Sequence, residues 1–199
     1  MSSKIASTAV IYPHVKLGTD CIVEDFCVIG SPLADGTTPE TVIGDNAHLR
    51  THTVIYSGNR IGKNFKSGNK TNIREHNYIG DNVSIGTMSV VEHHVQIENN
   101  VRIHTSAFIP EYSTLKEGSW VGPHVVFTNA KVPLSAEAKK NLKGPTLEKG
   151  AIIGANSTLS PAVIIGENTL IGSGSNVTSD ISENKIAYGN PAVAQRSRG

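Results

Sequence analysis

The segment Ile73-Arg-Glu-His-Asn-Tyr-Ile79-Gly-Asp-Asn-Val-Ser-Ile85-Gly-Thr-Met-Ser-Val-Val91-Glu-His-His-Val-Gln-Ile97 carries an aliphatic residue at every sixth position. Helices repeat at about 3.6 residues and strands at about 2, so a strict period of six belongs to neither element alone and marks a repeat architecture. Outward from this stretch the same phase holds from Ile43 through Leu49, Ile55 and Ile61, and onward through Ile103, Ile109, Leu115 and Val121 to Phe127. It is preceded by Ile5, Ile11, Leu17, Val23 and Ile29, and after a gap it resumes at Leu147, Ile153, Leu159, Ile165, Ile171 and Val177. That makes 26 hexads in runs of 5, 15 and 6, with Ser67 the one polar residue at a key position. Two residues earlier stands mostly a small or β-branched residue, such as Thr71, Ser89, Ala107 or Ser157. Two inward positions in six describe a short strand followed by a corner. In ten hexads glycine follows an aliphatic key residue, as in Ile79-Gly80 and Ile171-Gly172, which points to a corner needing positive φ.

A succession of [Leu/Ile/Val]-Gly-x-x-x-x hexads resembles the left-handed parallel β-helix family over residues 5 to 181. The resemblance implies an all-β left-handed parallel β-helix in which three hexads close one triangular coil of 18 residues. With strands about 4.8 Å apart, the prism would be roughly 40 Å long. Residues 1–181 form this domain, and residues 182–199 are a tail expected to cover one strand edge. Within the tail, Tyr188-Gly-Asn-Pro-Ala192 resembles the closing segment of hexapeptide acyltransferases.

Composition narrows the function classes. Lys plus Arg (18) nearly balances Asp plus Glu (17), for a net charge of +1, so no strong field invites nucleic acid or an anionic membrane. No window approaches the roughly 20 apolar residues of a membrane span, and the start lacks a secretion signal, so a cytoplasmic protein is expected. Cys21 and Cys27 have no metal-ligand spacing and are expected to fill core positions as free thiols.

The period breaks twice, by eight residues within 31–40 and by fourteen within 130–144. Both breaks fall after hexads equal modulo three, so both loops leave one corner of the triangle. Insertions confined to one edge of a solenoid mark its working face. That corner stacks Glu75, His93, Glu111 and Asn129 in one column, with His76, His94, Tyr112 and Ala130 beside them. Histidines flanked by carboxylates suit general acid and base chemistry, because imidazole titrates near neutrality and a carboxylate orients it. His14, His48 and His52 fall elsewhere on the prism.

Two segments carry a closer resemblance. Ser89-Val-Val-Glu-His-His-Val-Gln-Ile97 is similar to a segment of sugar acetyltransferases of the bacillosamine and sialic-acid type, in which the histidine is the base. The resemblance gives that role to His93, with Glu92 or Glu75 orienting it, His76 nearby, and His94 where the family has Asp. Trp120-Val-Gly-Pro-His-Val-Val-Phe-Thr-Asn129 is similar to 3-N-acetyltransferases of nucleotide-linked aminosugars, with Ala130 in place of their Asp. Their Gln-Asn-Asn beside the reacting amine aligns with His104-Thr105-Ser106, so His104 joins His94, Glu111, Tyr112 and Asn129 as a substrate-binding candidate. Galactoside and maltose acetyltransferases carry His-Pro where this chain has Val132-Pro133, which argues against that branch.

The superfamily resemblance also implies a homotrimer with acetyl-CoA as co-substrate, lying along Gly154, Ala155, Gly172 and Ser173 with Lys143 near its phosphates. No metal is expected. Amide formation on a nucleotide-linked aminosugar is the leading expectation. The alternatives are sugar O-acetylation, a zinc protein like the γ-class carbonic anhydrases with His76 and His94 as ligands, and a structural β-helix without catalysis.

Overall fold

The computed structural model describes residues 2–199. Twenty-six strands of two to four residues run from β1 (Lys4–Ile5) to β26 (Asn176–Val177), one per hexad, followed by β27 (Lys185–Gly189) and β28 (Ala192–Ser197). They stack into three parallel sheets, which we term I, II and III, of eleven, nine and eight strands. Each strand pairs with the one a full coil later, for example Asn72↔Val90↔Phe108 in sheet II. This is a parallel β-helix, and each coil hydrogen-bonds only its neighbours.

The key positions from Val23 to Val177 are buried, and the positions two residues earlier point into the same core. Ser67 tolerates its inward place because its hydroxyl accepts from the Arg50 amide at 3.0 Å and pairs with Thr53 Oγ1 at 2.7 Å. Cys21 and Cys27 are buried free thiols.

The glycines after the key residues need a different explanation from the one expected. Among those ten, Gly30 alone has positive φ; the left-handed residue of most corners is two positions further on, as in His76, Asn82 and His94. What requires glycine is proximity between coils. A Cβ at Gly44 would sit 2.7 Å from the carbonyl carbon of Gly62 and 2.8 Å from the amide of Lys63.

Both insertions follow sheet II strands, β5 (Val28–Ser31) and β20 (Val126–Phe127), so they leave the same corner, between sheets II and III. The first folds back on the prism, where Pro39 accepts a hydrogen bond from the Gly58 amide at 3.1 Å. The second holds one 3-10 turn, Ala138–Asn141, and exposes Val132 and Leu134. After Ser182, β27 continues sheet I beside β25 (Leu170–Ile171), and β28 turns back against it, burying Ala187 and Ala192 over the last coil.

Candidate active site

The corner between sheets II and III carries a dense group of polar side chains. Three successive strands, β11 (Asn72–Ile73), β14 (Val90–Val91) and β17 (Phe108–Ile109), are each followed by a corner residue of one column: Glu75, His93 and Glu111. The next residue in each corner, His76, His94 or Tyr112, has φ between 57° and 62°. Histidine enters this left-handed region more readily than most residues, and the conformation turns its ring across the corner.

The rings form a stack. His76 and His94 have centroids 5.2 Å apart, His94 and Tyr112 5.7 Å, and His93 meets His94 edge-on at 4.9 Å. Nδ1 of His93 lies 2.8 Å from Nδ1 of His94, so one of these nitrogens carries the proton and the other accepts it. On its other side, His93 Nε2 faces Glu111 Oε1 at 3.6 Å, and Asn129 Nδ2 donates to the second oxygen of Glu111 at 2.7 Å. Asn129 thereby fixes the carboxylate that faces His93.

Glu75 and Glu92 are engaged elsewhere, which corrects the expectation that one of them orients His93. Arg74, which the sequence reading passed over, donates to both oxygens of Glu75 at 2.8 and 3.0 Å and to Glu92 at 3.4 Å. Its guanidinium also lies 5.2 Å from the Tyr56 ring centroid. Burial would raise the Glu75 carboxyl, but the Arg74 hydrogen bonds outweigh it and hold it below the usual range. At Glu92 burial wins: its carboxyl is raised, against the pull of Arg74 and with the added repulsion of Glu111. Burial likewise lowers His94, and the neighbouring His93 and His76 push it further down.

Two buried asparagines stiffen the corner from inside. Asn59 donates to the carbonyls of Tyr56 and Arg74 at 2.7 and 2.8 Å, and Asn77 donates to that of Arg74 at 2.8 Å. Their inward polar positions in the repeat were the signal available in the sequence.

The remaining candidates lie apart from this group. His104 follows β16 (Arg102–Ile103) on the corner between sheets I and II, its ring 4.5 Å from that of Trp120. Gly154, Ala155, Gly172 and Ser173 follow sheet I strands on that second corner, where a Cβ at Gly154 would collide with the Ser173 amide and one at Gly172 with the Tyr188 side chain. Their small size serves coil stacking and leaves a smooth ridge, which suits an uncharged, extended chain such as pantetheine. Lys143 sits at the end of the second loop, its amide donating to the Asn129 carbonyl at 2.9 Å, on the opposite corner from that ridge. Among the described residues no group of three His, Cys, Asp or Glu is arranged to hold a metal ion, and no helix is long and apolar enough to cross a membrane.

Stacked hexads with two loops on one corner define a class: the chain is a hexapeptide-repeat β-helix protein, and it resembles the acyltransferases built on that repeat. Residues 144–179 match the family model of the bacterial transferase hexapeptide, six repeats. A stretch of 79 residues, 38% of the chain, is 37% identical to a galactoside O-acetyltransferase of Lactococcus lactis subsp. lactis (strain IL1403), covering 38% of that protein. A stretch of 46 residues is 54% identical to a dTDP-3-amino-3,6-dideoxy-alpha-D-galactopyranose 3-N-acetyltransferase of Aneurinibacillus thermoaerophilus, 23% of this chain and 24% of that one. The matches thus span well under two thirds of either relative. The structure of a UDP-N-acetylglucosamine acyltransferase from Campylobacter jejuni superposes with a TM-score of 0.54 at 18% identity, over 98% of this chain and 75% of that one. At that identity the likeness speaks for the fold.

Proposed function

We propose that the chain transfers the acetyl group of acetyl-CoA to the amino group of a nucleotide-linked aminosugar, with His93 as general base. The observation that carries this reading is the placement of His93 on the loop-bearing corner, with Glu111 at 3.6 Å from Nε2 and His94 at 2.8 Å from Nδ1. A carboxylate facing Nε2 favours the tautomer protonated there, which makes Nδ1 the basic atom; in the free protein it accepts from His94 Nδ1, and the incoming amine displaces that contact. The amine nitrogen attacks the thioester carbonyl and the carbon–sulfur bond breaks. The proton shed by nitrogen passes to His93 and then to the departing thiolate. Glu111, held by Asn129, steadies the imidazolium meanwhile. His76, His94 and Tyr112 supply ring faces for the acceptor, and Glu75 and Glu92 with Arg74 form the polar wall beside it.

The similarity to a 3-N-acetyltransferase supports an amine acceptor. O-acetylation is the second reading, favoured by the similarity to a galactoside O-acetyltransferase despite Val132-Pro133. The glycine ridge at Gly154 and Gly172 is the proposed path for pantetheine. A homotrimer is proposed from the outward face of sheet II, where Val28, Val54, Val90, Phe108 and Val126 form an apolar ladder interrupted by Asn72. With acetyl-CoA and a nucleotide sugar as the proposed substrates, a cytoplasmic location is part of the same proposal.

The test is thiol release from acetyl-CoA against a panel of nucleotide aminosugars and simple galactosides. Turnover is expected with an aminosugar, and His93→Ala is expected to lower kcat by roughly 10²- to 10⁴-fold. Near wild-type turnover in that variant would overturn the assignment of the base, and acetylation of galactosides alone would select the second reading.

A further inference from the structure

A second cleft lies on the loop-free corner between sheets I and II, several coils before the Gly154 and Gly172 ridge proposed for pantetheine, and the acetyl-transfer reading assigns this part of the corner no role. The residues that follow successive sheet I key positions there are Glu24, Arg50, Gly68, Gly86, His104 and Gly122. Two consecutive glycines between Arg50 and His104 open a notch in this ridge, about 14 Å from one flanking residue to the other at a coil spacing of about 4.8 Å. A side chain cannot fill it, because a Cβ at Gly68 or Gly86 would collide with the amide of Thr87 or Thr105 in the next coil.

The notch is walled by the outward side chains of sheet I, where Lys66, Ser84 and Arg102 stand in register on adjacent strands. Lys66 and Arg102 are exposed, and neither has an ion-pair partner among the described residues. The carboxylate nearest the lower rim, Glu24, is occupied by His48 at 2.8 Å and by Arg50 at 3.3 Å. At the upper rim His104 Nε2 is buried without a hydrogen-bond partner. Two cations without ion-pair partners, Lys66 and Arg102, and the hydroxyl-bearing Ser84 and Thr87 line one concavity that has no carboxylate in its lining.

We infer that this cleft binds a diphosphate group, with Arg102 and Lys66 gripping its oxygens. Arginine offers the planar fork that matches phosphate oxygens, and lysine adds a point charge two strands away. A diphosphate could arrive on a nucleoside diphosphate or on coenzyme A. The inference stands on the cleft alone and is read as binding, so a failure to transfer acetyl groups would leave it intact.

Trp120, the chain's single tryptophan, stacks on His104 and reports on the cleft by its emission. The experiment titrates the full chain with inorganic pyrophosphate, uridine diphosphate and coenzyme A by isothermal calorimetry at fixed ionic strength, with Trp120 fluorescence followed in parallel. Saturable binding of pyrophosphate at one site is expected. Arg102→Gln and Lys66→Gln should each weaken it at least tenfold, while Arg60→Gln, a charge loss on sheet III, should leave it unchanged. Tighter binding of uridine diphosphate or of coenzyme A than of pyrophosphate identifies the source. No heat with any of the three probes, or equal weakening by Arg60→Gln, would overturn the inference. Unaltered circular dichroism of the variants excludes unfolding as the cause of a loss.

Discussion

His94 occupies the most crowded place in the cluster, between His76 and Tyr112 and against His93. Burial first, and the positive charge of its neighbours second, hold its pKa below the ordinary value of 6.5. His104 shifts in the same direction, by burial and by Arg102. Below pH 6.5 the unfolded chain therefore binds these protons while the folded chain resists them, and stability falls as pH falls. Glu92 has the opposite sign: its folded pKa is raised above 4.5, so proton uptake there offsets part of the loss just above that pH. The melting temperature is expected to drop between pH 7.5 and 5.5, and less so in His94→Asn, which keeps a side chain that tolerates left-handed backbone. An equal drop in both proteins would remove His94 from this account.

The column that holds these residues is readable in the sequence, since register alone brings residues 75, 93 and 111 together. Which carboxylate faces His93 is not readable. Arg74 competes for Glu75 and Glu92, and that competition depends on side-chain directions that a spacing of 18 leaves open.

At the level of the corner, glycine has two distinct tasks. Gly44 has an ordinary φ but lies within 3 Å of the next coil's backbone wherever a Cβ would project, whereas Gly118 has φ +69° and nothing near its missing Cβ. Gly44→Ala must push coils apart and is expected to cost about 1–3 kcal/mol by overpacking. Gly118→Ala meets open space and should cost about 1–2 kcal/mol through the left-handed backbone alone. Asparagine discriminates between them: Gly118→Asn should recover much of the loss, while Gly44→Asn should be worse than Gly44→Ala. Urea unfolding measures all four, and recovery by asparagine at position 44 would refute the division. The sequence pattern marks these glycines, but the reason for them emerges only when one coil is laid on the next. The same holds for Asn59 and Asn77, whose polar character breaks the inward rule and whose partners are corner carbonyls.

The whole prism presents three unlike faces. Sheet III shows Arg60, Tyr78, Gln96 and Thr114 outward, and sheet I joins basic residues at its lower half to Trp120, Ile152 and Leu170 above. Sheet II alone is apolar along most of its length, and the candidate active-site corner borders it, so a neighbouring prism packed on that face would stand over the His93 cluster. Phe108 lies at the middle of this ladder, paired in register with Val90 and Val126. Placing a lysine there would leave the inward core untouched but set an unpaired charge into the proposed subunit contact, a change that typically opposes association strongly. Phe108→Lys is therefore expected to shift the mass in multi-angle light scattering from trimer to monomer, with unchanged circular dichroism and at least a tenfold loss of acetyl transfer. A wild-type monomer would refute the trimer itself. A Phe108→Lys protein that remains trimeric and active would move the contact off sheet II, leaving the His93 corner to work within a single prism or against a different face.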